Sequence, residues 1–187
     1  MNVRHDLRSG VVLIILALTL VILYHRLLLG EVFIWGLPPL QFYPWRAFAL
    51  DVLASGQLPL WNPYNGAGAP LFANYQSALL YLPNWFSFAF PLASAMSITA
   101  VVHLFLAGWG MWTFTGQLGY SALGRGISTL AFGMTSYLVA RLGTYPMISA
   151  AAWLPWLLWA ALCVFRFRRA RDVGRLAFFA AMLLLTG

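Results

Sequence analysis

The stretch ASAMSITAVVHLFLAGWGMWTF, from Ala93 to Phe114, carries 22 residues without an Asp, Glu, Lys or Arg. A membrane-spanning helix needs about 20 predominantly apolar residues. The stretch therefore reads as a span, with His103 near its middle. Intramembrane ionisable residues are functional candidates, and the competing reading is a neutral histidine hydrogen-bonded between helices.

On either side the chain repeats this character. Ahead of it, Val11 to Leu29 is an apolar run preceded by Arg4 and Arg8. It ends in Tyr24-His25-Arg26-Leu27-Leu28-Leu29-Gly30 without a small-residue cleavage site, as an uncleaved anchor does. Arg26 is expected to reach the interface along its aliphatic stem. Behind it lie Ile127 to Ala140, a short run, and Ile148 to Phe165, which contains Pro155. Proline is tolerated in a membrane helix when neighbours satisfy the freed carbonyl. Leu176 to Gly187 is a last run whose twelve residues cover about 18 Å of a hydrocarbon core about 30 Å thick. The expectation is an all-α membrane protein of about five spans, with this piece the N-terminal part of a longer chain and the remainder of that chain its partner.

Composition agrees. Of 187 residues, 62% are hydrophobic and 8% charged, against about 45–50% and about 25% in soluble domains. The net charge is +7 and every basic residue is arginine. No basic face on a soluble domain is present, which excludes nucleic acid as partner. Eight of the eleven arginines (Arg4, Arg8, Arg125, Arg166, Arg168, Arg169, Arg171 and Arg175) fall on one side when the spans alternate. The positive-inside rule makes that side, and the N-terminus, cytoplasmic. The cluster at 166–175 sets topology and meets anionic lipid. The lone Cys163 builds neither a disulfide nor a metal site.

Between the first two spans, residues 31–92 hold eight of the ten prolines, many aromatics and only Glu31, Arg46 and Asp51 as charges. Such proline density forbids a spanning helix. Such aromatic content is foreign to a disordered loop. The region is expected to be an ordered external loop, with short helices at Trp45 to Ser55, stopped by Gly56, and at Gln76 to Leu82, ended by Pro83.

Within it stand Gln41-Phe42-Tyr43-Pro44-Trp45-Arg46, Ser55-Gly56-Gln57-Leu58-Pro59-Leu60-Trp61-Asn62-Pro63-Tyr64, Gly68-Ala69-Pro70-Leu71-Phe72-Ala73-Asn74-Tyr75-Gln76-Ser77 and Tyr81-Leu82-Pro83-Asn84. Together with Tyr137-Leu138-Val139-Ala140-Arg141 and Ala152-Trp153-Leu154-Pro155-Trp156, they resemble the bacterial YfhO-type membrane proteins, placed with the GT-C glycosyltransferases. The resemblance implies a multi-pass bundle of GT-C type in a bacterial plasma membrane, surrounded by membrane lipids. It implies transfer of a sugar from a polyprenyl-phosphate donor to an extracytoplasmic acceptor. Such transfer needs a carboxylate base and a cation for the developing phosphate charge. The resemblance admits a divalent metal ion as that cation, although the sequence offers no ligand cluster for one.

The acidic residue that such enzymes carry early in this loop is absent from Ile34 to Leu40. Glu31 and Asp51 are the nearest carboxylates, and either takes the catalytic role or neither does. Glu31 otherwise ends the first span. Asp51, five residues after Arg46, otherwise makes a weak local pair. Arg46 and Arg141 are candidates for the phosphate, or else interfacial anchors. Trp45 and Trp61 either stack on a sugar or join an aromatic belt. Gln41, Asn62, Asn74 and Gln76 are the polar candidates for sugar hydroxyls; Asn62, ahead of Pro63, equally suits a turn. A non-catalytic protein that binds lipid-linked sugar and a transporter are the alternative readings.

Overall fold

The computed structural model describes the backbone of residues 3–187 and side chains from Gly10 onward; Arg4 and Arg8 thus lie outside the described side chains. The chain is mostly helical, in keeping with the all-α expectation. Helix α1 (Val3–Leu23) leads through the short α2 (His25–Leu28) into the loop. Within the loop a wide turn at Pro38–Phe42 runs into α3 (Tyr43–Ala54). Then follow α4 (Leu92–Gln117), α5 (Ala122–Gly133), α6 (Ser136–Ala140), α7 (Tyr145–Phe167) and α8 (Ala170–Leu184).

Among the described residues, two helices are long and apolar enough to cross a membrane, α4 and α7. At about 1.5 Å per residue they measure roughly 39 and 35 Å. They run side by side in the same direction, with α4 at the centre of the bundle. The end where they begin is the loop end. The end where they finish, beside Arg125 and Arg166, is the arginine end.

Small residues set the crossings. A Cβ on Gly133 would lie 3.1 Å from the Gly108 Cα and from the Leu104 carbonyl, so α5 presses onto the α4 backbone. A Cβ on Gly110 would meet the Trp156 indole at 2.6 Å. That indole donates to the Leu106 carbonyl at 2.9 Å. Close backbone approach of this kind is how helices hold together where burial from water adds little. The main core joins Leu16 and Leu20 of α1, Met96, Leu104 and Ala107 of α4, Leu138, and Ile148 and Ala152 of α7.

Three expectations need correction. Ile127 to Ala140 is not one span: α5 ends at Gly133, and Thr135 adopts an extended conformation before α6. α5 is thus roughly 18 Å long, and its last residue, Gly133, seats on Gly108. The apolar run from Val11 to Leu29 is not one helix either. Its backbone leaves helical geometry at Tyr24 and restarts for one turn. Nor is Gln76 to Leu82 a helix. Tyr75–Ser77 forms one 3-10 turn, Ala78 turns left-handed, and a 3-10 helix over Leu82–Phe88 begins with Pro83 instead of ending there. Proline suits a first turn, where its missing N–H has no partner to lose. The helix ahead of Gly56 forms as expected, and Gly56 takes the positive φ that stops it.

The loop is ordered, and part of it descends into the bundle. A two-residue hairpin pairs Trp61–Asn62 with Ala69–Pro70. Gly68, at φ +96, lies beneath the Trp61 ring with no room for a side chain. From there the chain drops between α4 and α7. Tyr81 meets His103 and Trp153, about 17 and 12 Å below the starts of those helices. The Leu82–Phe88 turn then climbs back along α4. Irregular backbone of this kind is tolerated when protein covers it, and here the residues after α8 help to do so: Gly187 rests on Tyr75 and Gln76.

Candidate functional site: a buried arginine above a tyrosine–histidine anchor

Arg46 projects from the second turn of α3 and is 7% exposed. Its guanidinium lies 5.2 Å from the centre of the Tyr145 ring. Its Nε is buried without a partner. Among the described residues the two ion pairs are Arg26–Glu31 and Arg175–Asp172, so no carboxylate answers Arg46. Burial lowers its pKa to about 10, against smaller opposing effects of Tyr145 and Tyr81. It is still a cation at neutral pH. A buried charge without a counter-ion is costly.

Arg46 opens onto a cleft between α3 and the descending segment, walled by Ala49, Leu53, Ser77, Asn84 and Ser87. Its volume is about 30 Å³, room for about two waters. The neighbouring donors are already committed. Ser77 Oγ donates to the Leu71 and Asn74 carbonyls at 3.0 and 2.7 Å. Asn84 Nδ2 donates to the Ala78 carbonyl at 2.9 Å, and Ser87 Oγ to the Asn84 carbonyl at 2.6 Å. Only the guanidinium fork, with one amide hydrogen of Asn84, is left for a ligand. That fork matches the oxygens of a phosphate or carboxylate in pairs.

Below it, Tyr81 fixes the depth of the segment. The Trp153 indole N–H donates to the Tyr81 hydroxyl at 2.6 Å. His103 Nδ1 faces the Thr99 carbonyl at 2.6 Å, so that nitrogen carries the hydrogen. Nε2 is then the acceptor, and the Tyr81 hydroxyl donates to it. Every donor finds an acceptor with a neutral imidazole. Burial pushes the Tyr81 phenol up, which keeps its proton in place. His103 thus serves as an anchor between helix and loop, where the sequence suggested a bond between helices. Ala78 adopts φ 50 at the foot of the descent, a conformation that costs an L-residue about 1–2 kcal/mol. Its carbonyl is held by Asn84 and by the Tyr81 N–H.

The residues proposed from sequence fall into two groups. Gln41 and Gln76 hydrogen-bond each other at 3.2 Å, and Gln76 precedes Ser77 in the wall of the Arg46 cleft. Gln41 and Gln76 thus come together, and neither lines the Arg46 cleft. The others stand apart or are occupied. Asn74 Oδ1 caps the 3-10 turn through the Gln76 N–H at 3.1 Å, and Asn62 Oδ1 accepts from the Tyr64 N–H at 3.0 Å. Trp61 is half exposed over its glycine, and Trp45 packs edge-on against Phe42. Glu31 pairs with Arg26 at 2.6 Å on the surface. Asp51 is exposed and makes no pair with Arg46. Arg141 is exposed, donating to Met147 Sδ at 3.5 Å beside the Tyr137 ring.

Sequence reasoning missed Tyr81, Asn84 and Tyr145 as site residues. The one available signal was His103, an imidazole in an apolar run that needs a partner from elsewhere. No group of three or more His, Cys, Asp or Glu able to hold a metal occurs among the described residues. Comparison with protein-family models, curated proteins and solved structures finds no match for this chain.

Proposed function

We infer that the protein is a multi-pass membrane protein of GT-C type that handles a polyprenyl-phosphate-linked sugar, with Arg46 at the phosphate. The observation that carries this is the buried, unpaired Arg46 guanidinium facing a cleft. The membrane setting is supported by α4 and α7, and by the apolar part of α1, Gly10–Leu23, where Ile14, Leu18 and Ile22 are more than half exposed. Water would oppose such a surface and lipid accepts it. The arginine end is then cytoplasmic and the loop end external, in a bacterial plasma membrane. In transfer, the acceptor hydroxyl attacks the anomeric carbon while the bond to phosphate oxygen breaks. The departing polyprenyl phosphate takes the electron pair, and Arg46 stabilises its charge. The acceptor proton passes to a carboxylate, Glu31 or Asp51.

A second reading, binding without transfer, is favoured by one observation: no carboxylate lines the Arg46 cleft. The test is binding of a polyprenyl-phosphate sugar by the protein in detergent, then assay of transfer. Arg46→Gln should weaken binding at least about tenfold, as loss of a charge-assisted contact does. Unchanged binding would sink the site. Wild-type transfer rates in both Glu31→Gln and Asp51→Asn would leave these carboxylates without a catalytic role.

A further inference from the structure

The arginine end carries, among the residues whose side chains are described, six arginines, Arg125, Arg166, Arg168, Arg169, Arg171 and Arg175, against one acid, Asp172. Three are committed to the protein. Arg125 Nε donates to the Trp112 carbonyl at 3.2 Å, its guanidinium stacked 3.9 Å from the Trp112 ring centre. Arg166 Nη1 donates to the Gln117 carbonyl at 2.5 Å. Arg166 thus meets a carbonyl at the very end of α4, where cations are favoured. Arg175 pairs with the buried Asp172 at 3.0 Å and lies over Trp159.

Arg168, Arg169 and Arg171 remain. All three are exposed, without a hydrogen-bond acceptor or ion-pair partner among the described residues. Arg169 touches only the Phe167 ring. They sit on the α7–α8 hairpin, which Arg168 turns at φ 51. Beside them Phe165 is 78% exposed and Phe167 is 46% exposed. Bare aromatic rings next to unpaired arginines fit the boundary where hydrocarbon meets headgroups, and they suit neither a hydrated acidic peptide nor a nucleic acid.

We propose that this hairpin is a binding surface for anionic phospholipid, with Arg168, Arg169 and Arg171 holding the headgroup phosphate and Phe165 lying among the acyl chains. The proposal rests on the membrane reading above and is independent of Arg46. Each arginine near an anionic membrane surface strengthens attraction roughly fivefold.

The test is reconstitution of the protein into nanodiscs of phosphatidylcholine, alone or mixed with phosphatidylglycerol. Lipid retained on extraction is then counted by native mass spectrometry. The wild type should retain phosphatidylglycerol preferentially, and less of it as salt rises. The triple variant Arg168→Gln, Arg169→Gln, Arg171→Gln should lose the preference while unfolding at the wild-type temperature in phosphatidylcholine. Arg125→Gln, whose arginine is spent on Trp112, should keep it. A preference that survives the triple substitution, or free glycerol phosphate that competes as well as the lipid, would overturn the proposal. Incorporation without preference overturns it alone, whereas failure to enter either bilayer overturns the membrane reading with it.

Discussion

The rim of the loop and its descending segment use polar residues in opposite ways. On the rim, Glu31 and Arg26 hold each other at 2.6 Å while both stay at least half exposed, and Asp51 and Arg141 face outward. Pairs of this kind contribute about 0–1 kcal/mol. In the descent, Ser77 and Tyr81 are buried, as is Arg46 of α3 facing it, and Tyr81 is held by partners 22 and 72 residues away in sequence. A buried group that loses its partner costs about 1–3 kcal/mol. The rim thus carries side chains that chemistry makes conspicuous, and the descent carries those whose placement the fold has to sustain.

The comparison breaks most sharply at Tyr81. Tyr81→Ala removes a fully buried ring together with both hydrogen bonds, and should lower unfolding stability by about 3–5 kcal/mol. Tyr81→Phe keeps the ring but orphans the Trp153 N–H and the His103 Nε2, at about 1–3 kcal/mol. Thermal unfolding in detergent reads both; a costless Tyr81→Phe would mean that the hydrogen bonds do not set the depth of the loop.

Arg46 should act with the opposite sign. Arg46→Leu replaces an unpaired buried cation with an apolar side chain, and should stabilise the ligand-free protein by about 1 kcal/mol or more. The pH dependence follows. The folded guanidinium titrates at about 10, below its usual value, so the unfolded chain binds more protons from there up to that usual value. Wild-type stability should therefore rise with pH across that window. The Leu variant should lack the rise, and equal slopes in unfolding midpoints would count against a buried charge.

The smallest effect belongs to the rim. Glu31→Gln should change stability by less than about 1 kcal/mol. A larger drop in the unfolding midpoint would place Glu31 among the structural residues and blur the contrast.

The helices α4 and α7 were readable because their apolar runs are long and uninterrupted. The break between α5 and α6 was not, since no proline or charge marks it within the apolar run from Ile127 to Ala140. Asn62 was legible as a turn residue because its partner lies two positions away. Arg46 stood out as a rare charge in an aromatic loop, yet its depth and lack of partner depend on α4 and α7. Tyr81 looked like one aromatic among many, since its partners come from two helices that follow it.

The span from Tyr81 to Trp153 also fixes an order of events during synthesis. At about 5–20 residues per second, the 72 residues between them take roughly 4–14 s to emerge. Through that interval the segment cannot seat, and Arg46 keeps its water. Tyr145 over Arg46 and Trp153 on Tyr81 therefore arrive late, with α7, and an insertion that delays α7 would prolong the time in which this arginine lacks its cover.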